Sequence, residues 1–151
     1  MEIKTRLLKP YTEEERKRFI VEYNHNLGYE IKEAENALEA WGYTQEELDY
    51  KERERVAMLS LTRGDVFRGL LQAKQITRAQ IRAMIENNET LTMLQKEMAL
   101  IDFDEALNFY RGNALIDTLG ATLGITSEQL DKFFETNDYT VLLNINETEV
   151  K

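Results

Sequence analysis

Apolar positions recur every three or four residues along most of the chain, the spacing that lines side chains along one face of an α-helix. Phe19, Ile20, Tyr23 and Leu27 predict a helix over 12–27 that stops at Gly28. Ile31, Ala34, Leu38 and Trp41 predict a second over 31–41, ahead of Gly42. A third opens at Thr44 and runs through "YKERER" (50–55). That run is polar on every side and has no face to bury, so it predicts a projecting or bridging helix. Val66, Phe67, Leu70 and Leu71 align over 63–74, and Ile81 and Ile85 over 78–87, giving a helical pair joined by a short turn. Gly69, inside the first of these, costs about 1 kcal/mol against alanine, which predicts a neighbour packed close against it. Leu91, Leu94, Met98 and Ile101, then Leu107 and Tyr110, predict a longer helical stretch over 89–110 that breaks near Asp102 and ends at Gly112. A short helix over 114–122 and a last one over 127–136, with Leu130, Phe133 and Phe134, complete the set.

The two ends have a different period. Ile3, Thr5 and Leu7 alternate, as do Tyr139, Val141, Leu143 and Ile145, and a period of two is that of a strand. Two strands alone are marginal, so the expectation is a small antiparallel ribbon of the two termini packed on helices. The fold class is therefore mainly α: a multi-helix bundle of short capped helices, with a minor antiparallel β-ribbon from the termini. One helical domain over 1–151 is expected. A subdivision is available into an N-terminal helical piece, 1–49, and a helical core, 56–151, joined through the polar helix 50–55.

Helix starts are marked by a recurring pattern. "YTQEEL" (43–48), "LTRGDV" (61–66), "ITRAQI" (76–81) and "ITSEQL" (125–130) each place an apolar residue before Thr, an acid or amide three places after it, and another apolar residue next. The Thr hydroxyl accepts from a free backbone N–H of the first turn, and the acid or amide accepts the N–H of the cap residue. The flanking apolar pair closes as a staple. "YTEEER" (11–16) carries the same box without the staple. The tripeptide Arg63-Gly64-Asp65, which in an extended loop would suggest an adhesion ligand, is thus read as a first helical turn capped by Thr62. Spacings of the five starts share no fixed period, which argues against a repeat array.

Composition narrows the class. Of 151 residues, 42% are apolar and 31% charged, the balance of a soluble globular chain. There is no cysteine, so disulfides and thiolate metal sites are excluded. The first residues lack the apolar core of a signal peptide, and no run approaches the ~18 apolar residues of a membrane span. The expectation is a soluble protein of a host cytoplasm or a virion, with no membrane. Acids exceed bases by 14 to 10 in residues 1–60, 7 to 6 in 61–110 and 7 to 3 in 111–151, for a net −9. Phosphate binders rely on a basic surplus, so this balance argues against nucleic acid and for a basic partner surface.

Candidate chemistry is sparse. His25, in "YNHN", has no cysteine, serine or acid constellation beside it and suits a helix end. Asp102, Asp104 and Glu105, with Asp117 downstream, are oxygen-rich but lack the alternation and central glycine of a calcium loop. Ser60 and Ser127 sit in no nucleophile turn, and no glycine-rich phosphate loop occurs. No catalytic residue, cofactor or metal ligand is therefore expected, and the protein is read as a non-enzyme. A helix-turn-helix reading of 63–98 remains as an alternative. In it Thr90, Thr92, Gln95 and Lys96 would face base edges and Arg78 and Arg82 the phosphates. Against it stands the absence of a basic surplus and of a small turn residue between the second and third helices.

Three stretches carry a resemblance: "KPYTEEERKRFIVEYNHNLGYEI" (9–31), "AMLSLTRGDVFRG" (57–69), and 102–134 from "DFDEALNFYRGNALIDTLG" to "ITSEQLDKFF". They resemble small proteins encoded in phages and prophages of Gram-positive gut bacteria, often near tail genes. The resemblance implies a phage setting and transfers no functional residue. The expected function is a non-catalytic phage or prophage accessory that works by protein–protein binding in the tail region or on the virion. Its partner would be a phage structural protein. The alternative is an acidic inhibitor of host defence, of the anti-CRISPR type, whose partner would be a nucleic-acid-binding effector.

Overall fold

In a computed structural model describing residues 1–143, the alternation at Ile3, Thr5 and Leu7 forms the strand β1 (Glu2–Leu8). Its partner is internal. The segment expected as a helix over 31–41 is a β-hairpin of β2 (Glu30–Glu33) and β3 (Ala37–Gly42). β3 lies between β1 and β2 in a three-stranded antiparallel sheet. Spacing alone favoured a helix there, yet no Ser, Thr, Asp or Asn stands before Ile31 to cap one. Leu38, Ala40 and Gly42 supply the buried alternate face of a strand. The opposite face carries Glu39, which accepts from Arg6 Nε at 3.0 Å and from Trp41 Nε1 at 2.9 Å, while Lys32 Nζ lies 4.5 Å from the Trp41 ring. Pairing with a strand some thirty residues away overrides a weak local preference.

The helix α1 (Glu13–Glu22) starts at Thr12 with the expected reciprocal box to Glu15 and buries Phe19. Phe19, Leu38 and Ala40 form a small core that Tyr23 and Tyr29 flank. α1 ends at Glu22, and the residues to Gly28 form a separate 3₁₀ turn, His25–Leu27. Gly28, at φ 87°, closes that turn in the left-handed region. The chain divides into two compact units, Met1–Arg53 and Glu54 onward, and the division falls inside α2 (Gln45–Ala57), a helix with no buried residue.

The second unit contains α3 (Arg63–Lys74), α4 (Arg78–Glu86), α5 (Met93–Glu105), α6 (Ala114–Leu123) and α7 (Ser127–Thr136). The expected helical stretch 89–110 stops at Glu105. Ala106 turns extended, and β5 (Asn108–Tyr110) pairs antiparallel with β4 (Ser60–Thr62). Phe67, Phe103 and Phe109 meet at the centre, with ring centroids 5.1 Å and 5.8 Å from that of Phe67. Ile81, Ile85, Leu115, Leu130 and Phe133 fill out this core.

The C-terminal strand of the expected ribbon is instead a 3₁₀ turn over Tyr139–Leu142, and Ile145 lies outside the described residues. Asp138 accepts from the Thr140 amide at 2.9 Å and its hydroxyl at 2.7 Å, a local bond pair that competes with an extended conformation. These bonds hold the Asp138 carboxyl below the usual aspartate range. Leu142 is then fully buried. The architecture is mainly helical, with seven α-helices among the described residues and a small antiparallel three-stranded sheet.

Gly69 has the close neighbour that its place inside a helix implied. A Cβ built there would stand 2.4 Å from Phe133 Cζ, a ring itself held in the core. Alanine gains about 1 kcal/mol of helix propensity, but overpacking typically costs about 1–3 kcal/mol. Gly69→Ala is therefore expected to be less stable than the parent by urea titration, against the usual sign of a Gly-to-Ala change inside a helix.

Candidate functional site

α5 is the helix whose surface departs most from its expected role. Its start is a reciprocal cap: Thr92 Oγ1 accepts from the Gln95 amide at 3.2 Å, and Gln95 Oε1 accepts from the Thr92 amide at 2.9 Å. From that start only Phe103 is buried, with Ala99 and Leu100 packed partly against the core. Leu94, Met98 and Ile101 stand at i, i+4 and i+7 and are expected as the inward face. They point outward instead, at 70%, 59% and 59% exposure, with Met93 beside them at the helix start. Phe103 is nine residues from Leu94, half a turn out of phase at 3.6 residues per turn, so the two cannot share a face. Leu107 and Tyr110, expected on the same inward line, are exposed as well.

The margin of this stripe is acidic. Glu97, Asp104 and Glu105 are all exposed on α5. Asp104 is held by Arg82, whose Nη1 donates to its two carboxylate oxygens at 2.6 and 2.8 Å while Nε reaches Glu86 at 3.2 Å. Glu97 and Glu105 have no ion-pair partner among the described residues. The arrangement is a flexible thioether and two branched aliphatic side chains in water, edged by negative charge. It can take up an apolar surface, and it favours one with cations around it.

The other candidate residues are placed as follows. Arg82 is in the ion pairs just described. Thr92 and Gln95 are spent on the helix cap, the Thr90 hydroxyl donates to Asn88 Oδ1 at 2.6 Å, and Lys96 is half-buried. Arg78 is exposed and has no ion pair among the described residues. The four acids considered for a cation are committed separately. Asp102 accepts from Asn113 Nδ2 at 3.1 Å, Asp104 from Arg82, and Asp117 from Arg111, while Glu105 stands alone. No group of three or more His, Cys, Asp or Glu able to hold a metal occurs among the described residues. His25 is exposed in its 3₁₀ turn. Arg63-Gly64-Asp65 is the first turn of α3. The Thr62 hydroxyl accepts from the Asp65 amide at 3.1 Å, but the Asp65 carboxylate takes Arg68 at 2.6 Å, so only half of the expected box forms.

Two features leave little mark in the residue spacing. The Thr92 start lacks the closing apolar residue of four of the five marked starts, since Lys96 stands at that place. Arg111 has no local signature, because its partners lie 6, 16 and 20 residues along the chain. It is a buried arginine whose Nε, Nη1 and Nη2 donate to Asp131, Asp117 and the Ser127 hydroxyl at 2.7, 2.7 and 2.8 Å. Every partner belongs to the fold, which makes it a clamp between α6 and α7.

Fold and surface together define a mainly helical protein with a small antiparallel sheet and an exposed apolar helix face. Among the described residues no helix is long and apolar enough to cross a membrane. No family model matches the chain, and neither a curated protein nor a solved structure matches it.

Proposed function

We propose that the chain is a non-catalytic phage or prophage accessory protein that works by binding another protein, in the tail region or on the virion. The observation that carries the binding role is the exposed stripe of Leu94, Met98 and Ile101 on α5. Scattered exposed apolar residues are ordinary, but an ordered row of them along one helix marks a docking face. The acid margin favours a partner that offers an apolar anchor set among lysines or arginines. The phage setting comes from the resemblance carried by 9–31, 57–69 and 102–134.

The test is a double substitution, Leu94→Asp with Ile101→Asp. Both positions are exposed, so each change is expected to move folding stability by no more than about 0.5 kcal/mol. Partner affinity should fall by at least about 30-fold, the equivalent of losing a 2 kcal/mol anchor. Mass spectrometry of purified particles reads this directly: the parent chain is retained and the variant is depleted. Equal retention of both would remove the face from the binding role, and absence of the parent from particles would remove the virion placement.

A second reading uses the same acid margin. An inhibitor of the anti-CRISPR type would set Glu97 and Glu105 into the basic groove of a nucleic-acid-binding effector. That reading expects the protein to co-elute with such an effector and to be displaced by its DNA, whereas a structural partner is indifferent to DNA.

A further inference from the structure

Beside the start of α3, and apart from the α5 face, lies an open groove of about 470 Å³. Arg63, Arg68 and Arg78 line it, and Phe67, Leu71 and Ile76 are its apolar residues. No acid among the described residues lines it, in a chain of net charge −9. Arg63 is fixed in place: its Nη1 donates to the Asp104 carbonyl, and its guanidinium lies 5.4 and 5.6 Å from the Phe67 and Phe103 ring centres. No carboxylate among the described residues pairs with this guanidinium, so its charge stays available to a ligand. Arg68 is exposed and shared with Asp65, and Gly64 leaves it room, for a Cβ there would stand 3.0 Å from its Nη1. Arg78 has no ion pair among the described residues. The first turns of α3 and α4 both open onto the groove, adding two partial positive charges of the same sign.

The dimensions select an extended ligand. Gly64, Phe67 and Leu71 follow one face of α3, and at 1.5 Å per residue the span from Gly64 to Leu71 is about 10 Å. Ile76 and Arg78 continue the lining beyond the turn. That length accommodates about three residues of extended chain at ~3.3 Å each. We infer that this groove binds a short acidic peptide segment in extended form. Its carboxylates are held by the three arginines, and an apolar side chain between them lies on Phe67, Leu71 and Ile76. Charge complementarity decides the occupant: cations at the rim and hydrocarbon between them match alternating acid and apolar side chains.

The probe is a fluorescent pentapeptide of four glutamates around a central leucine, read by anisotropy at low salt, with a glutamine counterpart. The acidic peptide should bind at least about tenfold tighter than the neutral one and weaken as salt rises. Arg78→Glu should lower its affinity by about tenfold or more, while far-UV dichroism stays unchanged, because an acid suits the first turn of a helix. Leu71→Asp, at a position already half exposed, is a second variant with the same expected loss. Lys132→Glu makes the same change in net charge on α7 and should leave binding intact. The inference is overturned if neither peptide binds or both bind alike, or if Arg78→Glu and Lys132→Glu act equally. It is also overturned if a short DNA duplex binds more tightly than the acidic peptide, which would make the groove a phosphate surface.

Discussion

Replacing Phe109 with alanine is expected to lower the folding stability by roughly 3–5 kcal/mol, the range for deleting a large aromatic from a closed core. Phe109 is 1% exposed. It is the central residue of β5, directly opposite Leu61 on β4, and its ring meets that of Phe67 edge-on at 5.8 Å. Three residues of strand hold little by themselves, so this side chain is what ties β5 to the helices. Removing it leaves a void whose walls, Phe67 on α3 and Leu61 on β4, are fixed by their own elements and cannot collapse inward. With a total stability of about 5–15 kcal/mol for a domain, the loss takes a large fraction of the whole. Equilibrium urea unfolding measures it, as a lower midpoint at an unchanged slope. The control is the next residue. Tyr110→Ala, on the exposed side of the same strand, should stay within about 0.5 kcal/mol of the parent. Equal losses at the two positions would contradict the placement of Phe109.

The same contrast explains how far the sequence could be read. Helix starts at Thr12, Thr77 and Thr126 were legible because capping is chemistry within four residues, and each forms the reciprocal bonds that the spacing implies. The hairpin over 30–42 was not, because the strand that stabilises β3 enters from residues 2–8. A period of three to four says that a stripe exists and nothing about which way it faces. On α5 there are two apolar arcs, one through Leu94, Met98 and Ile101 and one through Ala99 and Phe103, and a single core can take only one. The aromatic one won, since Phe103 buries more surface and meets Phe67. A helix with two apolar arcs is the sequence signal that one of them stays exposed. The arginine groove left a fainter trace. Arg63, Arg68 and Arg78 are separated by five and ten residues, and only the turn between α3 and α4 brings the last beside the others.

Arg111→Ala is the second large effect, expected at about 2–4 kcal/mol, below the 3–5 kcal/mol of a fully buried broken pair. The discount has a structural reason. The arginine side chain is 7% exposed, but Asp117 and Asp131 keep 61% and 41% of theirs in water, so both carboxylates can rehydrate once the cation is gone. What is lost is the fork: three nitrogens at fixed angles joining Asp117 on α6 with Ser127 and Asp131 on α7. Arg111→Lys separates charge from geometry, because an ammonium on a flexible stem keeps the charge but cannot reach all three acceptors along one plane. It should recover only part of the loss, and a lysine variant as stable as the parent would show that charge alone matters there. A double-mutant cycle with Asp131→Asn isolates one arm and should give a coupling of about 1 kcal/mol or more. The backbone of Arg111 also donates to the Leu59 carbonyl at 2.8 Å, just before β4 begins. Losing the side chain therefore loosens the residue that joins β5 to α6, and binding assays on Arg111 variants would mix unfolding with recognition. The α5 face and the arginine groove are better tested at Leu94, Ile101, Leu71 and Arg78, where exposure separates the two.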